Sequence, residues 1–531
     1  ALAVARGRPF ADVAALVDWH DLMLFVLAHP ASRGEVVRAN LELARVARAA
    51  RAIALRGRAA DRRALEHTGI AWTTVRASFG LAIARWLLAR WPGAASLDSI
   101  DGDGALADVL ATALPPLQAD VAGGGHLDAD EIVAAFAGDG DRAAWLVRTA
   151  DALPAAEAVR EHLYETLGST LAVSPRASAL ARTFNRGPAH APYLVGALVR
   201  DVDVRAATGV PLPRARPPTL AQREAIVDAS RATLAMLGRE TDALSATSAR
   251  DTAWHRLGRG VAIALHAPSA GRRGPLDAHV GFVLYRNGVP VAYGGGWPFL
   301  GGCRIGVNVF PAFRGGESAW LFAQVLRAYR QRFRIVRFVV EPSQYGRGSR
   351  EGLVSGAFWF YWRLGFRPVV PRLLALAEAE AAKIAADRRY RAPIAVLRRF
   401  TEGDVALALE DAAVPPDPAD LAEAASGWLA ARGGGDPARA ERRALALATR
   451  YVGVTLPTDP VERTAWRAWA PLLAQCPAIA TWPDGARAGV AAVIRAKARD
   501  EYAFQAGLCA HRRLADALSR LARDVAARGV C

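Results

Sequence analysis

Lysine is almost absent from the sequence. Of the 67 basic residues, only Lys383 and Lys497 are lysines, and all the others are arginines. The arginines alternate with alanine, leucine and acidic residues along segments of helical periodicity, a pattern typical of solvated helix faces. The formal net charge of +16 would attract phosphates without specificity, but the arginines are spread rather than clustered. We therefore expect no nucleic-acid partner despite the basic charge.

Cysteine is also scarce, and its distribution excludes two common structural roles. Four widely spaced cysteines form neither a disulfide framework nor the close pairs of a zinc site. They are Cys303, Cys476, Cys509 and Cys531. We therefore expect a reducing compartment and no metal ion.

Long hydrophobic runs are missing as well. No apolar stretch reaches the roughly 18 residues that a membrane span requires. The basic segment Ala1–Arg8 is not followed by the apolar core of a signal peptide. Hydrophobic residues nevertheless make up 52% of the chain, which favours folded domains over a disordered chain. The sequence therefore predicts a cytoplasmic protein with no membrane partner.

Two proline-rich segments divide the chain. Val210–Pro218 and Pro415–Pro418 lack backbone donors at several positions and favour extended structure, so we interpret both as linkers. A chain of 531 residues has room for about two to four domains. We expect an α-helical domain at 1–215, a central domain at 216–405 and an α-helical C-terminal domain at 406–531.

The two flanking regions show the three- and four-residue spacing of apolar side chains that indicates helices. The predicted helices of the N-terminal region include Asp18–Ala28, Gly34–Arg56, Thr74–Trp91 and Asp141–Leu153. Those of the C-terminal region are Leu421–Arg432, Arg439–Tyr451, Pro460–Leu473, Ala486–His511 and Arg513–Arg528.

The central region changes to the alternating pattern of strands. Val280–Tyr285 alternates in this way, and Asn287-Gly288 separates it from the next strand. This dipeptide predicts a type I′ hairpin, because both central positions of that turn require positive φ. A third strand, Cys303–Phe310, leads into the glycine-containing loop Pro311–Ala319.

Helices and strands alternate after this loop. A helix with apolar residues at helical spacing is followed by the strand Ile335–Val340 and by a helix through Tyr361. Gly260–His266 is predicted to be the first strand of the sheet, and Ala392–Phe400 a last strand or a closing extension. The sequence therefore predicts an α+β fold for the central region.

Two motifs in this region resemble those of a known family. The first is a strand end with a glycine loop that opens a helix, formed by Pro311, Phe313, Arg314, Gly315 and Ala319. The second is the helical pattern Ala-x-x-x-Tyr-x-x-x-Gly-Phe, formed by Ala357, Tyr361, Gly365 and Phe366. In this order they resemble the core of the GNAT superfamily of N-acetyltransferases, over roughly residues 255–370. The resemblance implies a GNAT-like mixed sheet with helices.

The resemblance also implies a site for acetyl-CoA or another acyl-CoA as donor. A pyrophosphate is favourable at a helix N-terminus, where backbone N–H groups and the helix dipole face it. The residues expected around the pyrophosphate are Arg314, Gly315, Gly316, Ser318 and Ala319. The strand edge that carries Val307 and Val309 would pair with the amides of the pantetheine arm.

Glu317 departs from the family pattern, which has glycine at this place. A carboxylate in the first turn suits the helix dipole but repels a phosphate. It could instead cap a backbone N–H or pair with Arg314, and the loop could be an ordinary helix start. Glu317 favours a donor held on an acyl carrier protein, or a role without catalysis.

Two residues are candidates for proton transfer. Tyr361 matches the family position that often protonates the departing thiolate, and a phenol has the appropriate basicity for this step. Glu341 follows the strand Ile335–Val340, where it could accept a proton from an amine. The alternative roles are core packing for Tyr361 and a loop salt bridge for Glu341.

These observations predict a GNAT-like acyltransferase that moves an acyl group from a thioester to an amine by direct attack. The acceptor would be a small-molecule amine or a protein amine, and Cys303 has no role as nucleophile. The alternatives are a GNAT-like protein that binds a ligand or partner without catalysis, and an acyltransferase that uses an acyl-carrier-protein donor. A fold alone does not decide between them.

Overall fold

The N-terminal region combines helices with a small sheet. The structure, a computed structural model, describes residues 9–102, 109–110, 112–124, 127–188, 191–214, 216–387, 389–411 and 413–528. The helices before the first linker are α1 (Val13–Ala28), α2 (Arg33–Arg56), α3 (Ala59–Leu65), α4 (Leu81–Arg90), α5 (Pro116–Gly123), α6 (Ala129–Ala137), α7 (Arg142–Ala152), α8 (Glu157–Thr166) and α9 (Val204–Gly209).

The small sheet is absent from the sequence-based prediction. Its antiparallel strands have the order β1-β3-β2. They are β1 (Val75–Ala77), β2 (Ala95–Ile100) and β3 (Ser169–Val173). The helix predicted over Thr74–Trp91 is therefore wrong in its first part, which contains β1. The helix α4 begins only at Leu81. Strands this short show little alternation, and β3 lies far along the chain from both partners, so a local pattern does not reveal them.

The main sheet begins after α10 (Leu220–Ala235) and α11 (Asp242–Ser245). Its first five strands are antiparallel neighbours in chain order. They are β4 (Thr247–Gly258), β5 (Val261–Pro268), β6 (Val280–Arg286), β7 (Val289–Phe299) and β8 (Gly302–Val309). The strand predicted at Gly260–His266 is present as β5, but β4 flanks it, so it is not the first strand of the sheet.

The turn between β6 and β7 confirms the hairpin prediction. Arg286 pairs with Val289 at the end of the ladder. Asn287 has φ of 47° and Gly288 has φ of 79°, the two positive values that a type I′ turn requires. The Asn287 side chain also donates a hydrogen bond to the carbonyl of Ala28 in α1, at 3.0 Å. The turn therefore fixes the hairpin and also contacts the N-terminal region.

A parallel connection follows the antiparallel strands. From β8 the chain passes through α12 (Ser318–Phe333) to β9 (Arg337–Val340), which pairs parallel to β8. Within the described ranges this is the single parallel pair of the sheet, whose full order is β10-β11-β9-β8-β7-β6-β5-β4. Helix α12 packs its buried face into the main core because apolar residues recur at helical spacing along it.

The sheet is completed after two further helices. The elements are α13 (Arg350–Val354), α14 (Ala357–Arg363), β10 (Arg367–Pro368), α15 (Pro371–Ala386), α16 (Ile394–Phe400) and β11 (Val405–Ala408). Of the two alternatives predicted for Ala392–Phe400, the last strand is wrong, because α16 occupies Ile394–Phe400. Leu397 and Phe400 are three residues apart and both buried, a spacing that a helix places on one face. The last strand in chain order is β11, which pairs with β9.

The C-terminal region is a helical bundle with its own core. Its helices are α17 (Pro418–Gly433), α18 (Pro437–Val452), α19 (Pro460–Leu473), α20 (Asp484–Arg499), α21 (Glu501–Ala510) and α22 (Arg512–Arg528). Trp466 and Trp469 are buried in this core, together with Leu276 and Phe299 from the central region. Within the described ranges, no helix is both long and apolar enough to cross a bilayer.

The architecture therefore combines helices with an eight-stranded mixed sheet. The N-terminal region and the C-terminal bundle each have an additional hydrophobic core. The core of the main sheet also includes Leu24 and Leu27 of α1 and Leu43 of α2. The division of the chain near residues 215 and 405 stays a prediction.

Arg327 fixes the first proline-rich linker to the sheet region. Its guanidinium donates hydrogen bonds to the carbonyls of Val210, at 2.8 Å, and of Pro211. It also donates to the carbonyl of Leu257, at 3.1 Å. The residue is 6% exposed, and a buried charged group is tolerated when such partners surround it.

Replacing Arg327 should release this linker. Arg327→Met keeps an unbranched side chain but removes the donors to three carbonyls, which typically costs roughly 1–3 kcal/mol for the groups left unpaired. We expect faster proteolytic cleavage within Val210–Pro218, measured by time-resolved digestion and mass spectrometry. Arg363→Met, on an exposed position of α14, is the control. Equal cleavage rates in both variants would contradict the anchoring role.

Candidate functional site

The parallel strands β8 and β9 stop pairing partway along β8, and we refer to the unpaired edge of β8 beyond this point as the β8–β9 cleft. Their parallel pairing ends at Arg304 and Val339, whereas β8 continues to Val309 in register with β7. On the side facing β9, the described residues provide no strand partner for Ile305–Val309. Apart from the Val309 carbonyl, which accepts a hydrogen bond from Arg314, this edge of β8 is therefore able to pair with an extended chain or with an amide-containing ligand.

Glycines and a glutamine shape the base of this cleft. A Cβ on Gly306 would lie 2.8 Å from the side chain of Gln344, so the glutamine lies directly across the strand. A Cβ on Gly294 of β7 would lie 2.1 Å from the carbonyl oxygen of Gly306. Only glycine permits the approach at Gly294, whereas a larger residue at Gly306 would require the flexible Gln344 side chain to shift. The sequence analysis did not single out the glycines of β7, although a run of glycines inside a strand was a usable signal.

The residues predicted to bind the donor lie beside the cleft. Val307 and Val309 are half-buried on the free part of β8, and Ser318 and Ala319 are half-buried at the start of α12. These positions were expected to be neighbours because one short stretch of chain contains them all.

The loop at the start of α12 is exposed on its outer side. Gly315 has φ of 79°, and a Cβ there would meet no atom within 4 Å. A Cβ on Gly316 would lie 3.6 Å from the ring of Phe25 in α1. The guanidinium of Arg314 donates to the carbonyl of Val309 at 3.1 Å and lies 3.5 Å from the carboxylate of Glu351. Of the two alternative roles for Glu317, pairing with Arg314 is therefore not the one that the structure contains.

Glu317 is turned inward and has no exposed surface. Its carboxylate lies 2.9 Å from Nη2 of Arg286, which is also fully buried, and 3.4 Å from Nη2 of Arg259. It accepts a hydrogen bond from the backbone N–H of Val199 at 2.9 Å. Nε2 of His29 lies 3.5 Å away. Glu317 therefore does cap a backbone N–H, but one from the N-terminal region.

The charges around Glu317 keep it ionised. Burial alone would raise the pKa of this carboxyl, but the interaction with His29, the Val199 N–H and the charge of Arg286 outweigh it and lower the pKa to about 2. The guanidinium carbons of Arg286 and Arg259 also lie 5.4 and 5.6 Å from the ring centre of Trp320, within range for cation–π attraction. We refer to Glu317, Arg286, Arg259 and His29 as the Glu317 cluster.

Tyr361 lies in an aromatic core. It is 3% exposed, and its ring centre is 5.9 Å from that of Phe322 and 5.7 Å from that of Phe366. Among the described residues, none forms a hydrogen bond with its hydroxyl. Burial raises the pKa of Tyr361 well above its usual value, so the phenol stays protonated at neutral pH. A protonated phenol is able to donate a proton but not to act as a base.

Glu341 lies at the surface beyond the end of β9. Its carboxylate accepts a hydrogen bond from Nη1 of Arg304 at 2.9 Å, and Nη2 of the same arginine lies 2.9 Å from the carboxylate of Asp417. The side chain of Glu341 is 48% exposed. The salt bridge that was the alternative role for Glu341 is therefore present, and it connects the end of β9 to the second proline-rich segment.

Tyr345 is a neighbour of both proton-transfer candidates. Its ring centre lies 6.2 Å from that of Tyr361, and its hydroxyl donates to the carbonyl of Gly403. Burial first, and then the charges of Asp404 and Glu341 together with other neighbours, raise the pKa of Tyr345. Tyr345 is a residue of this site that the sequence analysis missed.

A cavity lies near the first residues of β8 and β9. Its volume is about 940 Å³, and Trp297, Arg304 and Asp404 line it together with residues of α22 and the second linker. The ring of His279 stacks on Trp297 with centres 4.2 Å apart. Burial raises the pKa of both Asp277 and Asp404. No local sequence pattern predicted this cavity, because its walls come from distant parts of the chain.

Cys303 is buried, and its thiol is protonated at neutral pH. Cys303 is 2% exposed, and burial raises the pKa of its thiol well above the usual value, which disfavours the thiolate. In the part of the chain that the structure describes, no three histidine, cysteine or acidic side chains are arranged to hold a metal ion.

Comparisons with family models, with curated proteins and with solved structures gave no match.

Removing the charge of Glu317 should destabilise the protein in a pH-dependent way. Glu317→Gln leaves Arg286 buried without its counterion, so we expect a loss of roughly 3 kcal/mol in unfolding free energy at neutral pH. Because folding lowers the pKa of this carboxyl to about 2, the contribution is complete above the unfolded value of about 4.3 and is lost as the pH falls towards 2. Urea unfolding across this range measures it.

Glu351→Gln is the matched control for this measurement. It also removes a carboxylate that faces an arginine, but its side chain is 83% exposed, so the loss should stay below about 1 kcal/mol. Comparable losses in the two variants at neutral pH would show that the Glu317 cluster contributes no more than a surface ion pair.

Proposed function

We propose that the central region is a GNAT-like acyltransferase, which moves an acyl group from a thioester such as acetyl-CoA to an amine. The observation that carries the proposal is the cleft between the parallel strands β8 and β9. It leaves Ile305–Val309 without a partner on one side, directly beside the start of α12. This arrangement supports binding of a ligand that has both amides and phosphates, which is the chemical character of coenzyme A.

The inward position of Glu317 supports the same proposal. Its carboxylate is fully buried and has two arginines as partners, whereas Arg314 and Gly315 are exposed. The negative charge is thus compensated on the inner side of the loop. The N–H groups of the first turn of α12 have no intrahelical partner and remain available to a pyrophosphate.

The proposed reaction is a direct transfer within a ternary complex. The amine nitrogen attacks the thioester carbonyl, the carbon–sulfur bond breaks, and the departing thiolate takes the proton of the Tyr361 hydroxyl. Glu341 accepts the proton that the amine loses, directly or through a water molecule. Burial raises the pKa of Tyr361, so the phenol is protonated before each transfer, although the same shift makes it a weaker acid toward the thiolate.

The cavity of about 940 Å³, whose lining contains five aspartates and four arginines, is the proposed place of the acceptor. Asp404 and Asp417 line it, as does Arg304, which is hydrogen-bonded to Glu341. Aspartates favour a cationic group, and a small-molecule amine or a protein amine has this charge at neutral pH. Arg304 would hold Glu341 at the border between this cavity and the cleft.

The alternative proposal is a GNAT-like protein that binds a ligand or partner without catalysis. The packing of Tyr361 favours it, because an aromatic core residue needs no catalytic role. A donor held on an acyl carrier protein is a third proposal. Such a donor presents its pantetheine arm without the nucleotide end, so it would use the free edge of β8 but not the loop at Arg314.

A new charge at the helix start tests the donor site. Ser318→Asp places a carboxylate on the first residue of α12. The helix dipole stabilises this charge, but the charge repels a pyrophosphate. We therefore expect weaker acetyl-CoA binding, by roughly tenfold, with no loss of thermal stability. Isothermal titration calorimetry and thermal unfolding measure the two effects. Ser318→Asn is the uncharged control and should bind acetyl-CoA almost as wild type does.

Acetyl-CoA binding by the wild-type protein and by the two Ser318 variants also distinguishes an acyl-CoA donor from a carrier-protein donor. Equal acetyl-CoA affinity in Ser318→Asp and Ser318→Asn would place the pyrophosphate away from α12. Absence of acetyl-CoA binding in the wild-type protein would favour the carrier-protein donor or the role without catalysis.

Removal of one hydroxyl tests the catalytic proposal. Tyr361→Phe keeps the ring and therefore the packing, but it removes the proton donor, so turnover should fall roughly 100-fold or more. Acetyl-CoA affinity should change little, because the hydroxyl acts in the transition state. Turnover with an amine acceptor, measured across pH, provides the test. Phe322→Leu changes the same aromatic core without removing a hydroxyl and serves as the packing control.

The pH profile of Glu341→Gln completes this test. This variant should lose most rate at low pH, where the amine is protonated and a base matters more. Turnover of Tyr361→Phe close to that of wild type would leave Tyr361 as core packing and favour the role without catalysis.

A further inference from the structure

A cavity lined by arginines lies beside the cleft and has no place in the proposed acyl transfer. Its volume is about 490 Å³, inside the range of roughly 300–1,000 Å³ typical of small-molecule sites. Its walls come from the segment between β9 and α13, from α13 itself, and from α16 with the residue that follows it. The side chains that matter are Arg347, Ser349, Arg350, Leu353, Ile394 and Arg398.

The three arginines of this cavity have no carboxylate partner among the residues that the structure describes. The guanidinium of Arg347 donates instead to the carbonyl of Thr401, at 2.9 Å from Nε. The two nearby glutamates are used elsewhere, since Glu351 lies against Arg314 and Glu402 against Arg372. No acidic residue lines the cavity. An excess of positive charge therefore surrounds a cavity that is open to solvent on one side.

The hydroxyl groups define what kind of ligand atoms fit. The oxygen of Ser349 accepts a hydrogen bond from the N–H of Gly352 at 3.1 Å, so its own proton is free to be donated. The hydroxyl of Thr401 already donates to the carbonyl of Arg398 at 2.7 Å. The side-chain hydrogens available to a ligand thus come from guanidiniums and one serine, a set that matches the oxygens of a phosphate.

One wall of the cavity is apolar. Leu353 and Ile394 line it, and Ile394 is 44% exposed, although large apolar side chains are usually better buried. The cavity is also larger than a phosphate group alone requires. A ligand with a phosphate at one end and a ring or other apolar body at the other would cover both surfaces.

We propose that this cavity binds a phosphorylated small molecule, with its phosphate held by Arg347, Arg350 and Arg398. A nucleoside diphosphate has the required charge and an apolar ring. The proposal is independent of acyl transfer, because these residues lie outside the loop Arg314–Ala319 that the donor would use.

The experiment compares two neighbouring arginines of α16. Arg398 lines the cavity and Arg399 does not, and both are exposed. Binding of ADP and of inorganic pyrophosphate to the full chain is measured by isothermal titration calorimetry. Arg398→Gln and Arg350→Gln should each weaken binding of both probes by roughly tenfold to a hundredfold, the usual effect of losing a charged hydrogen bond. Arg399→Gln should bind as wild type does, and circular dichroism verifies folding.

Four outcomes would overturn the proposal. The first is that neither probe binds the wild-type chain, and the second is that Arg399→Gln weakens binding as much as Arg398→Gln. The third is loss of binding in Ser318→Asp but not in Arg398→Gln, which would place the phosphate at α12 and leave the acyl-CoA proposal intact. A single-stranded oligonucleotide that alone shows dependence on Arg398 would likewise replace the small molecule by a nucleic acid. Stronger binding of ADP than of pyrophosphate supports a role for the apolar wall.

Discussion

The buried carboxylate of Glu317 is the interaction on which the geometry of the site depends. Its partners come from α1, from the segment before α9, from the β4–β5 turn and from β6. A buried charge without such partners is strongly unfavourable, so these elements must meet in one arrangement for the protein to fold. This arrangement fixes the first residue of α12, and with it the exposed loop beside the β8–β9 cleft. The N-terminal region thus determines the position of the loop that we expect to face the donor.

Local sequence patterns predicted the parts of the fold that local physics determines. Asn287-Gly288 predicted its hairpin because positive φ is a property of the two residues themselves. The sequence of strand, loop, helix and strand from Cys303 to Val340 was also recognisable by periodicity. The small sheet and the strand β4 were missed, because the pairing of strands depends on partners far along the chain. Ala392–Phe400 was misjudged because nine residues with few polar positions fit either a strand or a helix.

The candidate site shows the same limit. Positions from Val307 to Ala319 could be predicted as neighbours because they are consecutive. The partner of Glu317 could not, since Arg286 and Arg259 reach it only through the register of β5 and β6. Nor does the spacing around Tyr361 distinguish a proton donor from a packed ring, because both uses place the tyrosine on the inner face of α14. Each of the two cavities has walls from several elements, so no single stretch of sequence contains the signal for either.

The Glu317 cluster also makes the central region unsuitable as an independent cassette. A fragment that starts at residue 216 would lack His29, Val199 and the ring of Phe25, which stacks on Phe313 with ring centres 6.4 Å apart. It would keep Arg286 and Glu317 but lose the cover that shields them from water. Exchange of this region between proteins by recombination would therefore succeed only if the matching surface of α1 moved with it. The two parts of the chain are constrained to change together.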